Sequence, residues 1–338
     1  MKVCIRGDGV AAITCTHLLD AASLPVSRAP RRQVPSIMLS APALALLRDV
    51  YGNSTLLETH PKVTRRIVAW GGQDPVSLPH EAIAVSEAAI RQALEPVAAR
   101  PVAGGEQGDG PCFTIFASDP LPSGEKLVFG EGEAQAVEVI LRGEGLRHEC
   151  RVEALDSGWL FLLPGMSERR RGRGWLLAFG AAPDELLAKS RLIAPVVKLG
   201  SVAPAAFLTV PRMAVPLAGS DWLACGSAAL GFDPICGDGT AQAVREAILA
   251  AAVIRGIEEG GDAVVLLTHY RSMLVAAMRR HLQLCAQFYR TGGQSEWWQA
   301  QVAVFEDGYA ACTRILSIMP EPQFVLRGFA LQPRAAAA

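Results

Sequence analysis

Apolar positions change their period along this chain, and each change marks an element. Residues 2–6 (KVCIR) read as a short buried strand, and the apolar run 10–19 reads as a helix. Residues 34–40 (VPSIMLS) predict the next strand, and LALLRDVYG from Leu44 predicts a helix. Residues 63–70 and 76–85 predict two more strands around the Gly71-Gly72 turn. Ser86 is a suitable N-cap for a helix over 86–99, whose apolar positions Ala89, Ile90, Ala93, Leu94 and Val97 share one face. A loop without periodicity, 101–111, separates that helix from a buried strand at 113–117 that ends in Ser118-Asp119.

Beyond this point the pattern becomes alternating and aromatic. Five β-like runs, at 125–129, 136–142, 151–155, 159–163 and 175–179, predict a mostly antiparallel sheet inserted into an α/β unit. Period two puts Trp159 and Phe161 on one face. A helix at 183–191 follows. A strand at 222–225 and an alanine-rich helix from near Thr240 then return the chain to the α/β unit. A helix over 262–289 carries the apolar ladder Leu266, Leu267, Tyr270, Leu274, Met278, His281, Leu282 and Cys285, and a helical remainder carries Trp297-Trp298. No internal repeat is present, and the low-complexity tail 335–338 carries no signal.

Composition narrows the function classes. With 338 residues, 50% of them hydrophobic, the chain can bury a large core and form two domains. A net charge of −1 gives no electrostatic reason to expect nucleic acid or an anionic membrane as partner. The one dense basic run, Arg169, Arg170, Arg171 and Arg173, sits among glycines and reads as a solvated hairpin tip. The eight cysteines show no C-x-x-C pair and no histidine at ligand spacing, so no metal site is expected. Several lie in apolar runs, which fits a reducing cytoplasm. The N-terminus enters a glycine turn directly, so no secretory leader is expected. No uncharged apolar run reaches membrane-spanning length.

Two glycine turns carry the chemistry. Gly7-Asp8-Gly9-Val10-Ala11-Ala12 has the form G-x-G-x-x-A between a strand and a helix, with alanine as the other residue small enough for close helix packing. The second turn, WLACGSAALGFDPICGDG at 222–239, runs from a strand through Gly226, Asp233-Pro234, Gly237 and Gly239 into a long helix. The N–H groups and positive end of that helix suit an anion or a polarised ring edge. Glycines placed for tight packing alone would give the same pattern.

These residues together resemble the flavin-dependent monooxygenase and tryptophan-halogenase-like superfamily. GDGVAA, the strand end FASD, and PRMAVPL followed by WLACGSAALGFDPICGDG carry the resemblance. It covers nearly all of the chain and is most specific over 211–250. GSAALGFDP resembles the superfamily's Gly-Asp-Ala-Ala motif with its later Asp-Pro. The compact length and CAQFYRTGGQSEWW are more similar to small flavoproteins that oxygenate a protein-borne tryptophan in cysteine tryptophylquinone formation than to full-length halogenases. The resemblance implies an α/β fold with a three-layer, FAD-binding Rossmann-like domain (1–42, 80–122 and 205–260). It also implies an inserted antiparallel-sheet substrate domain (43–79 and 123–204) and a C-terminal helical segment (261–334).

By the same resemblance FAD is the cofactor, with Gly7, Gly9, Val10, Ala11 and Ala12 at its pyrophosphate and Ser118 at the neighbouring strand end. Gly226, Ser227, Asp233, Pro234, Gly237, Asp238 and Gly239 lie near the ribityl chain and isoalloxazine. Three positions depart from the family pattern. Ser227 replaces an Asp, Ser40 stands where an acid meets the adenosine ribose, and Glu87 stands where a helix-start arginine is common. Each change costs about 1–2 kcal/mol of cofactor binding where a polar partner is left unpaired.

The implied reaction is oxygenation of an aromatic, indole- or tryptophan-type substrate, free or on a partner polypeptide, through a flavin C4a-hydroperoxide, with electrons from a flavin reductase or NAD(P)H. Trp70, Trp159 and Phe161 are candidate substrate walls, and each also fits a core position. WLFLLP at 159–164 is similar, with substitutions, to a halogenase motif, and flavin enzymes that mature tryptophan-derived quinone cofactors look much the same there. Lys62, eight residues before Trp70, is the candidate catalytic lysine of that reading, although beside His60-Pro61 it also fits a solvated loop. His80 and His281 are the histidines placed for acid–base work. A flavin-dependent halogenase and a degenerate, non-catalytic binding module remain as alternatives.

Overall fold

The computed structural model describes residues 1–19, 23–24, 36–98, 112–165, 172–236 and 238–334. Gly237, residues 34–35 of one predicted strand, the 101–111 loop, Arg169 to Arg171 and the 335–338 tail lie outside them. The first third runs β1 (Lys2–Arg6), α1 (Val10–Leu19), β2 (Ser23–Leu24), β3 (Ile37–Ser40), α2 (Ala41–Tyr51), β4 (Lys62–Ala69), β5 (Val76–Val85), α3 (Glu87–Ala98) and β6 (Cys112–Phe116). The middle is strand-rich: β7 (Glu125–Val128), β8 (Glu133–Leu141), β9 (Glu149–Leu155), β10 (Gly158–Pro164), β11 (Arg173–Phe179), the short helix α4 (Pro183–Lys189), β12 (Val197–Leu199), β13 (Ala205–Leu208) and β14 (Arg212–Val215). The last third holds β15 (Trp222–Ala224), β16 (Leu230–Gly231), α5 (Gly239–Glu258), α6 (Ala263–Arg290), α7 (Glu296–Ser317) and the hairpin β17 (Phe324–Arg327) with β18 (Ala330–Pro333).

Four short strands pair in parallel in the order β15-β6-β1-β2. Ile5 and Ile115, opposite each other in that sheet, are fully buried. Helix α1 buries Ala11 through Cys15, with the Cys15 thiol 4.0 Å from the Ala247 carbonyl oxygen of α5 and the Thr14 hydroxyl 3.1 Å from that of Tyr51 on α2.

The larger sheet has the order β12-β8-β11-β10-β9-β4-β5-β3, with β13 also on β8. Its pairs are antiparallel except β4 with β9. All of β10 is buried because both faces are covered, which gives its continuous apolar run. Trp159, Phe161 and Leu163 face the core shared with α6 and α7, whereas Leu160 and Leu162 face the core of α4.

Two expectations are corrected. The strand ending at Ser40 is not the second strand of the parallel sheet. Ile37–Ser40 pairs antiparallel with β5, and Ser23–Leu24 takes the place beside β1. A two-residue strand has no period to read, and the apolar IML of β3 matches the apolar end of β5 instead. The run 125–129 forms β7, which pairs with β14 outside the larger sheet. Among the described residues no helix is long and apolar enough to cross a membrane, and no group of His, Cys, Asp or Glu could hold a metal ion.

Candidate functional site

The two glycine turns meet at the C-terminal edge of the parallel sheet. Ala117 N donates to Arg6 O at 2.7 Å and Cys225 N donates to Phe116 O at 2.8 Å, so pairing continues to the last residue of each strand. Gly7, at φ +138°, passes so close that a Cβ there would stand 3.1 Å from Ala117 Cβ and 3.2 Å from Ser118 N. Gly226, at φ +58°, would place a Cβ 2.6 Å from Ala11 Cβ. Only glycine permits both the left-handed conformation and the contact.

Helix α1 makes its first internal bond from Ile13 N to Gly9 O at 3.1 Å, so the amides of Val10, Ala11 and Ala12 open its N-terminal end. Ser118 is half-buried beside Gly7, and Ser227 is exposed in the 3-10 turn Gly226–Ala228. Arg91 of α3 pairs with Asp8, between the two glycines, at 2.9 Å. The cation on this helix is therefore Arg91, one turn beyond the buried Glu87.

The second turn ends at an occupied N-cap. Asp238 Oδ1 accepts from Ala241 N at 3.1 Å, and its Oδ2 accepts from Ser40 Oγ at 2.9 Å. Ser40 itself caps α2 by accepting from Ala43 N. Ser40 thus reaches this region through Asp238, and the expectation that it ends the second parallel strand does not hold. Gly239 is exposed, with open space where a Cβ would stand, and Pro234 is half-buried.

Behind the turns lie two buried carboxyls. Glu246 of α5 accepts from Gly226 N at 2.7 Å and from Gln242 Nε2 at 3.2 Å, and burial pushes it up to about 8. Asp233 accepts from Ile235 N at 2.8 Å and Cys236 N at 3.3 Å, and Tyr289 OH donates to it at 2.6 Å. Burial outweighs these bonds and pushes it up to about 6. Asp233 N donates to His281 Nε2 at 2.9 Å, and burial drives that ring down to about 3, so it stays a neutral acceptor. Trp159 Nε1 donates to Tyr289 OH at 2.8 Å, which ties β10 through α6 to the loop before α5.

The predicted aromatic residues gather at the same junction but are enclosed. Trp159 is fully buried with its ring 5.6 Å from Phe179, and Trp70 donates to Phe288 O at 3.3 Å while its ring lies 5.3 Å from that of Trp298. Phe161 is buried in the same cluster. Helices α6 and α7 cover this face, so these rings are core and not an open stacking wall. Lys62 does not join them. It is exposed at the start of β4, its carbonyl accepting from His148 Nδ1, and Trp70 just follows the far end of that strand, about 26 Å away at ~3.3 Å per residue. His80 lies half-buried on β5, lowered by burial and by Arg66.

No family model and no curated protein sequence matches the chain. Solved structures do match. QhpG, a peptidyl tryptophan dihydroxylase essential for tryptophylquinone cofactor biogenesis, superposes with a TM-score of 0.72 at 20% identity, over 98% of this chain and 86% of its own. The flavin-dependent halogenase CmlS gives 0.71 at 17%, over 89% and 67%. The p-nitrophenol 4-monooxygenase PnpA from Pseudomonas putida DLL-E4 gives 0.63 at 13%, over 94% and 96%. The chain has the flavin-dependent monooxygenase and halogenase fold.

Sequence reasoning missed Glu246, Tyr289 and Arg91. Glu246 had a signal, since it is the one acid on the buried face of α5. His281, Cys285 and Tyr289 recur every four residues on α6, which places them on one stripe against the 233–236 loop. Nothing local marked Arg91 as the partner of Asp8.

Proposed function

We propose that the chain binds FAD along the two glycine turns and oxygenates an aromatic group, with tryptophan carried on a partner polypeptide as the substrate class. The observation that carries this reading is the seating of Gly226 on Ala11 beside Gly7, which makes one backbone edge of two turns far apart in sequence. The residues fit the cofactor. The opening amides of α1 suit a pyrophosphate, Arg91 and Ser118 add polar groups beside Gly7, and the open space at Gly239 leaves the start of α5 approachable. Ser227, Asp233, Pro234, Asp238 and Ser40 would flank the remainder of the molecule.

FAD held there would supply, once reduced by a reductase or NAD(P)H, the activation of molecular oxygen. The chain's own part is to position and to exclude water. Glu246 holds the Gly226 turn from behind, and Tyr289 and His281 hold Asp233 so that the loop into α5 keeps one shape. Trp159 and Phe161 act as rigid backing to the sheet. The fold of QhpG, which acts on peptidyl tryptophan, supports the substrate class. The distance of Lys62 from the aromatic junction weighs against halogenation.

Gly9→Val tests the cofactor assignment: its branched side chain at the start of α1 is expected to abolish flavin retention, read from the spectrum of the purified protein. Undiminished flavin in that variant, or a colourless wild type that takes up no added FAD, would overturn the assignment. Mass spectrometry of a tryptophan-bearing peptide after turnover should show added oxygen, whereas added chlorine or bromine would make the protein a halogenase.

A further inference from the structure

Six of the chain's eight cysteines, far apart in sequence, meet in pairs: Cys4 with Cys112, Cys15 with Cys225, and Cys236 with Cys285. All are free thiols. Cys15, Cys225 and Cys285 are buried, whereas both members of the first pair are only partly so. We infer that Cys4 and Cys112 form a redox-active dithiol that closes to a disulfide when it meets hydrogen peroxide, a modification site that staples the central strands of the parallel sheet.

The register explains the pairing. Strands β1 and β6 run side by side with Cys4 opposite Thr114 and Lys2 opposite Cys112, so period two sets both cysteines on one face as diagonal neighbours. The Cys112 thiol donates to Cys4 Sγ at 2.7 Å, which leaves less than about 1 Å of travel to a bonded separation. The two sulfurs are not equivalent. Burial and the adjacent Cys4 hold Cys112 above the ordinary thiol range, so Cys112 keeps its proton and donates, and Cys4 is the sulfur that accepts. Lys2, on the same face, supplies the nearby positive charge.

The step balances in two stages. The Cys4 thiolate attacks peroxide, the O–O bond breaks, and sulfenic acid and hydroxide form. The Cys112 sulfur then attacks the Cys4 sulfur, an S–S bond forms, and water leaves. Two thiols have lost two electrons and two protons, and peroxide has become two waters. The bridge joins the strand that carries the Gly7 turn to the strand that ends in Ala117 and Ser118. It requires no flavin and stands independently of the proposed reaction.

The test uses the full-length protein. It is exposed to limiting hydrogen peroxide under native conditions, alkylated, digested and mapped by mass spectrometry. The expected first product is a loss of about 2 Da, two hydrogens, located in a cross-linked peptide containing Cys4 and Cys112 and reversed by dithiothreitol. Cys4→Ser and Cys112→Ser should each abolish that cross-link. The inference is overturned if the first disulfide maps to either of the other pairs, or if Cys4 goes on to sulfinic acid while Cys112 is still alkylated. The wild-type map decides the matter even if a serine variant fails to fold.

Discussion

Glu246 binds its proton more tightly in the folded chain than in the unfolded one, because burial pushes its carboxyl from the ordinary 4.5 to about 8. The unfolded chain releases that proton first, so this group's contribution to stability falls as pH rises from about 4.5 to 8. Asp233, raised to about 6, acts in the same direction at lower pH, and His281, lowered to about 3, acts in the opposite direction below 6.5. Between pH 6.5 and 8 Glu246 therefore acts with neither of them opposing it. Urea unfolding is expected to show a loss of about 2 kcal/mol over that window, and Glu246→Gln should flatten it, its amide oxygen still accepting from Gly226 N. A slope unchanged by the substitution would show that Glu246 does not titrate there. Gly226 allows a second test at this scale. Gly226→Ala adds both left-handed strain and a 2.6 Å clash with Ala11, an expected cost of about 2–4 kcal/mol. Gly52→Ala, at φ +59° with nothing near, adds only the strain, about 1 kcal/mol. Equal losses in the two variants would mean that the turns are not packed together.

At the scale of elements, α6 does more than close the core. Its stripe of His281, Cys285 and Tyr289 grips the 233–236 loop, and Tyr289 links that loop to β10 by accepting from Trp159 while donating to Asp233. Tyr289→Phe strands both a buried indole N–H and a buried carboxylate oxygen. It should cost about 2–4 kcal/mol in denaturant unfolding, and a loss below about 1 kcal/mol would show that the bridge is energetically idle. The helices were legible in sequence because each shows a sustained apolar stripe. Strand β2 was not legible, since two residues carry no period. Consequently the 34–40 run reads as part of the parallel sheet, although Ile37–Ser40 pairs with β5.

The whole molecule divides its work between a small parallel sheet that gathers the turns and a large sheet covered on one face by α6 and α7. That covering separates the predicted residues. Trp70, Trp159 and Phe161 are enclosed together, while Lys62 is left in solvent at the far end of β4. Lys62→Ala is accordingly expected to leave turnover of a tryptophan-bearing peptide within about twofold of wild type, a change of about 0.4 kcal/mol in barrier. A collapse of activity would return that lysine to the site. The apolar run of β10, the helix ladders and the two glycine turns are properties of short stretches, so the sequence alone determined the α/β class, the inserted sheet and the positions of both turns. Period and propensity act over a few residues, and they hold no information about which distant stretch will lie opposite. The seating of Gly226 on Ala11, the pairing of Arg91 with Asp8, the bridge through Tyr289 and the meeting of Cys4 with Cys112 depend on how whole elements pack, and only the tertiary structure decided them.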